Sequence, residues 1–254
     1  RALWLSGRPD AAEVALRLAI ADGPEQTLPL FLLAVVEDAA DDQASAITGY
    51  RQVLAIDPEH EGALSYLANL ALRRGDYADA VAYFERAVAS GVTQMPVYLH
   101  YWAAMLRAGA DDAVLRDSLL AFDKRFPEPP VFRYLLAKLL ATSKETGVVD
   151  ADRALGIARQ LYNVQPIPPH TELLALNLAA TGDFEQAREL QDGLVAMARM
   201  SGALGHAYSL EQAAESYRSR RLPEPIWPLQ DPMLMPPSAD PDVPMRNYPA
   251  GQPY

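Results

Sequence analysis

Arg74-Gly75-Asp76-Tyr77-Ala78-Asp79-Ala80 decides the fold, because the phrase returns in degraded form at a fixed distance. Upstream stand Ala40-Asp41-Asp42-Gln43-Ala44-Ser45-Ala46 and Ser6-Gly7-Arg8-Pro9-Asp10-Ala11-Ala12; downstream stands Ala108-Gly109-Ala110-Asp111-Asp112-Ala113-Val114. The turn positions 7, 41, 75 and 109 are three consecutive steps of 34. Five residues after each turn comes Ala12, Ala46, Ala80 or Val114, a slot for a small side chain between close helices. Pro24, Pro58, Val92 and Phe126 follow in the same register. Self-similarity at such a period marks a stacked helical repeat.

Each unit has the periodicity of two amphipathic helices. Leu64, Leu67, Leu70 and Ala71 draw one apolar stripe, Gly75-Asp76 interrupts it, and Ala80, Phe84, Ala87 and Val88 draw a second. Asp57-Pro58 closes one helix and opens the next turn. A less regular unit runs over residues 132–166, with about six residues inserted at 142–150. Another carries Leu174, Leu178, Gly182-Asp183-Phe184 and Ala187. Ser209-Leu210-Glu211-Gln212 has capping-box spacing and predicts a polar closing helix over residues 209–221. Residues 2–6 read as the last turns of a helix whose beginning lies upstream, so the natural chain is expected to extend in that direction.

Composition narrows the function. The chain has 254 residues, half of them hydrophobic, with 22 Lys+Arg against 33 Asp+Glu and a net charge of −11. Nucleic acid and anionic lipid both require positive counter-charge, so neither is an expected partner. Cysteine is absent, which excludes disulfides, thiolate zinc sites and iron–sulfur clusters in this chain. The longest clean apolar run, residues 30–36, is far short of the ~18 residues of a membrane span. His60, His100, His170 and His206 fall in different repeats without metal-ligand spacing, and no nucleophile elbow or phosphate loop is present. The expectation is a chain without catalytic residues, metal or cofactor.

The unit carrying Leu64, Leu67, Ala68, Gly75, Tyr77, Ala80, Phe84 and Ala87 resembles the tetratricopeptide repeat family, and the preceding unit repeats the resemblance through Leu30, Leu33, Ala34, Ala46, Tyr50, Val53 and Pro58. The resemblance implies an all-α fold, a right-handed superhelical solenoid of antiparallel helix pairs over residues 1–221. It also implies which positions face the groove: Phe31 and Val35, then Asn69, Leu72 and Arg73, then Leu99, Leu106 and Arg107, then Arg133 and Leu140. Family members that hold a peptide's terminal carboxylate use a Lys, Asn and Arg cluster. Here Asn69 stands at such a position, while Phe31, Val35 and Leu99 replace polar ones. What remains is a largely apolar groove with a few arginines, suited to an apolar or proline-rich segment of a protein partner.

Residues 222–254 hold ten of the 21 prolines, which argues against helix or central strand. Clustered apolar residues, Trp227, Met233 and Met235 among them, predict an extended proline-rich tail docked on a protein surface with Trp227 as anchor. That surface is the chain's own groove, a second copy of the chain, or another protein. The expected function is a non-catalytic interaction scaffold. Two alternatives stay open: an accessory repeat region of a larger enzyme, and a structural subunit of a homo-oligomeric or filamentous envelope assembly. The stretch from Leu139-Leu140-Ala141-Thr142 to Ala154-Leu155 resembles the closing repeats of bacterial proteins, and the lack of cysteine fits a bacterial periplasmic, envelope or extracellular setting over the cytoplasm.

Overall fold

The computed structural model describes residues 1–229 and 231–247. The chain separates into two compact units, Arg1–Ala108 with the segment from Pro232 onward, and Gly109–Asp231. Among the described residues both units are all-α, without strands.

Unit 1 contains α1 (Ala2–Leu5), α2 (Pro9–Asp22), α3 (Thr27–Ala39), α4 (Gln43–Ile56), α5 (Glu61–Arg74), α6 (Tyr77–Ala89) and α7 (Met95–Arg107). Consecutive helices pack as hairpins, and α5 also touches α3 and α7, so the first helices of successive pairs form a layer. The reversals fall where the 34-residue phrase puts them. Gly75 sits at φ 83°, and behind it the Asp76 amide donates to the Ala71 carbonyl at 2.9 Å. This left-handed position satisfies the last carbonyls of α5 and turns the chain back. Asp41 does the same at φ 62°, with the Asp42 amide donating to Glu37 O and the Asp42 carboxylate accepting from Ser45 N to cap α4.

The small-residue slots Ala12, Ala46 and Ala80 are buried between helices. The helices α3 and α4 approach closely at Gly49, where an added Cβ would lie 2.8 Å from Ala34 Cβ. Around this seam Phe31, Tyr50, Val53, Leu67 and Leu70 form a continuous core that also takes in Met245.

Unit 2 contains α8 (Asp112–Arg125), α9 (Val131–Thr142), α10 (Ala151–Val164), α11 (Pro168–Ala180), α12 (Phe184–Met200) and α13 (Leu204–Arg218). The inserted residues form the turn between α9 and α10, pinned by Asp150, which caps α10 through Arg153 N at 3.0 Å. Ala154 and Ala187 fill the small slots here. Val114 does not: it is 51% exposed and its neighbour Leu115 is buried instead. The turn at Gly109 is one residue longer before its helix starts than the turns at Asp41 and Gly75, so the buried face moves by one position.

Two further expectations are corrected. The closing helix is Leu204–Arg218, so Ser209 lies inside it and its hydroxyl donates to Gly205 O rather than capping an N-terminus. The proline-rich segment also contains a helix, α14 (Asp242–Asn247), with Pro244 in its first turn. There the missing N–H would have had no helical partner, so proline is tolerated.

Candidate functional site

In unit 1 the layer of α3, α5 and α7 borders a cavity of about 810 Å³. Its floor is aromatic: the Phe31 ring lies 5.0 Å from His60 and 5.5 Å, edge-on, from Tyr66. Polar groups converge on this floor from α5 and α7. His100 Nδ1 stands 3.0 Å from Asn69 Oδ1, and because an amide oxygen only accepts, the ring donates from Nδ1. Burial, with Arg73 nearby, pushes the His100 pKa down to about 4 and keeps the ring neutral at ordinary pH. His60 is likewise lowered by burial, and its Nδ1 accepts from Ala63 N at 3.1 Å to cap α5. Ser65 lines the cavity and is buried, and its hydroxyl finds no hydrogen-bond partner among the described residues. Asp57, Glu59 and Glu61 make the rim acidic.

Arg73 links the groove to the core. Its guanidinium pairs with the buried Asp38 carboxylate, which also accepts from Tyr50 Oη at 3.4 Å. Burial pushes the Asp38 carboxyl above its usual range, while Arg73 and Tyr50 act in the opposite direction. The other arm of the guanidinium donates to the Pro237 carbonyl at 3.0 Å.

Pro237 belongs to the opposite wall of the cavity, which residues 237–247 of the proline-rich segment provide. Leu234 and Met245 are fully buried, and Met245 is part of the unit-1 core. Trp4 Nε1 donates to Asp242 Oδ1 at 2.7 Å, and Arg1 donates to the carbonyls of Met245 and Arg246. The preceding residues lie along unit 2: the Trp227 ring is 4.5 Å from Lys138 Nζ on α9, and Leu222 packs with Leu173, Leu178 and Tyr217. Trp227, Met233 and Met235 are all only partly buried, so the deepest anchors of this segment are Leu234 and Met245.

The groove positions implied by the family resemblance divide. Phe31, Asn69 and Arg73 border the cavity. Val35, Leu72 and Leu140, at 0%, 1% and 1% exposure, are packed between helices and offer no surface to a ligand. Leu99, Leu106 and Arg107 are half-buried and do not border this cavity. Arg133 is engaged with Asp123 and Glu128 and with the Pro127 carbonyl, bracing the turn before α9. His60, Ser65, Tyr66 and His100 complete the site. Ser65 is among the inward-facing positions the family resemblance implies; the one sequence signal for the other three was their place in the same repeats as Phe31 and Asn69. Among the described residues no group of three or more His, Asp or Glu is placed to hold a metal ion, and no helix is long and apolar enough to cross a membrane.

Helical pairs of this length, register and turn chemistry define a helical-repeat protein. Residues 39–100 of unit 1 match the model of the Tetratricopeptide repeat family. The solved structure of YrrB, described as a TPR protein with an unusual peptide-binding site, superposes with a TM-score of 0.59 at 18% identity, over 70% of this chain and 89% of YrrB. Over 85 residues, 34% of its length, the chain is 35% identical to the probable biofilm formation methyltransferase WspC of Pseudomonas aeruginosa. That alignment spans only 20% of WspC.

Proposed function

We propose that the chain is a non-catalytic protein-interaction module whose unit-1 groove takes an extended segment of a partner protein. The observation that carries this reading is the groove's composition. An aromatic floor of Phe31, His60 and Tyr66 lies beside hydrogen-bonding groups, Asn69, His100 and Arg73, spaced along one helix layer. Apolar side chains can sit on the floor while main-chain amides meet the polar row. The acidic rim favours a neutral or basic segment, and Arg73, which lines the cavity, is already paired with Asp38 rather than held open for a terminal carboxylate. The fold shared with YrrB, a protein titled for its peptide-binding site, supports the same reading.

A second reading is favoured by the likeness to WspC. The chain would serve as the repeat region of a larger enzyme, with the same groove used to place that enzyme on its protein partner.

The test is selection of random displayed peptides on the intact chain. Recovered peptides should be apolar, proline-bearing and neutral or basic, and should lose binding on Tyr66→Ala and Asn69→Ala. Peptides indifferent to both changes, or none recovered, would rule the groove out as the binding site.

A further inference from the structure

We propose that residues 232–247 are a tethered occupant of the unit-1 groove, and that a partner segment gains the site by displacing them. This rests on reading the groove as a peptide site.

Although Met245 reaches the unit-1 core, three observations set the strap apart from the helices it lies on. Its hold comes in separate patches: the buried Leu234, Pro236, Pro244 and Met245 side chains, the Pro237 carbonyl on Arg73, the Asp242 carboxylate on Trp4, and the Met245 and Arg246 carbonyls on Arg1. Between them Pro237, Ser238, Asp240 and Val243 are exposed. Five of its residues are proline, which have no N–H to strand when the segment returns to water. They also reduce the entropy lost each time it docks.

The strap bridges the groove instead of filling it. About 810 Å³ bounded by residues of both the strap and the floor stays open, which leaves room for a segment lying deeper.

The strap is also a poor electrostatic match. Asp240 lines the same cavity as Asp57, Glu59 and Glu61, which adds like charge to an already acidic rim. A partner with a neutral or basic residue there has the advantage. The strap offsets this by its tether, which holds it at an effective concentration on the order of millimolar. The partner is therefore a proline-punctuated segment with a Met or Leu anchor and no acidic residue at the position matching Asp240.

The experiment places a protease site between Asp231 and Pro232 in the full chain and uses a labelled synthetic peptide of residues 232–247 as probe. Before cutting, the probe should bind at least tenfold more weakly than after cutting and removal of the released segment. The cut chain should keep its helical circular dichroism. A probe carrying Asp240→Lys should bind the cut chain several-fold more tightly than the unmodified one. Loss of helix when the strap is removed, or retention of the strap against a hundredfold excess of probe, would show a structural element and overturn the proposal. If displayed peptides bind through Tyr66 while the strap stays in place, the groove reading stands and this proposal fails. If the strap exchanges but Tyr66→Ala leaves the exchange unchanged, the groove reading itself fails and takes the proposal with it.

Discussion

Arg73 and Pro237 are 164 positions apart in sequence and joined by a single N–H···O=C bond of 3.0 Å. The same guanidinium neutralises Asp38, buried between α3 and its neighbours. One side chain therefore stabilises a charge in the core and holds the proline-rich strap at the surface.

Removing Arg73 alone should be severe. Arg73→Met leaves the Asp38 carboxylate buried with only Tyr50 to donate to it, at a cost of about 3–5 kcal/mol. Asp38→Leu combined with Arg73→Met removes both charges and should recover most of that loss. Urea unfolding of the two single variants and the double variant gives the coupling directly. Additive losses would mean that the pair does not interact as described.

His100 should make stability depend on pH. Its folded pKa, about 4, lies below the unfolded value of 6.5, so the unfolded chain takes up a proton that the native chain refuses. The stabilisation is complete above pH 6.5 and is lost as pH falls from 6.5 towards 4, amounting to roughly 3 kcal/mol over that interval. His100→Gln should reduce the slope in this part of the profile, leaving His60, which burial also lowers, and the carboxylates to account for what remains. The check is the urea midpoint of both proteins at half-unit steps from pH 7.5 to 4.5.

The repeat register predicts opposite outcomes at two equivalent positions. Ala80 is completely buried, so Ala80→Leu should overpack the α5–α6 seam and cost roughly 1–3 kcal/mol. Val114, in the same slot by sequence but half exposed, should accept Val114→Leu within about 0.5 kcal/mol. Thermal melts of the two variants decide it; equal losses would put Val114 back in the slot.

That contrast shows how far the sequence could be read. The reversals at Gly75 and Asp41 were legible because a left-handed position leaves a local signature, glycine or a short polar residue. The slip at Val114 was not, because one extra turn residue before α8 rotates the helix by about 100° without altering its composition. Site positions fared likewise. Phe31, Asn69 and Arg73 reached the cavity, but Val35, Leu72 and Leu140 did not, since the family pattern shows which side of a helix turns inward and not how tightly the next helix closes over it. The strap's proline content pointed to docking. Its address depends on contacts such as Trp4 with Asp242, which no local pattern encodes.

The anchors of the proline-rich segment can be ranked. Met245→Ala should cost about 2–5 kcal/mol, because it empties a fully enclosed site in the unit-1 core. Trp227→Ala removes a partly buried indole and its contact with Lys138, a cation–π interaction of about 0.5–1 kcal/mol at such a site, and should cost less. Chemical denaturation of both variants tests the order, and a reversed order would make the indole the principal anchor.

The separation of the groove from its cover along the chain also has a consequence in time. The last groove helix, α7, ends at Arg107, and the strap begins roughly 125 residues later. At about 5–20 residues per second, a ribosome finishes α3, α5 and α7 some ten seconds before it has made the residues that close over them. During each round of translation the aromatic floor emerges bare, and whatever binds it then meets no resident competitor. On the proposed reading, a partner segment synthesised nearby would have its best access to the groove before residues 232–247 are made.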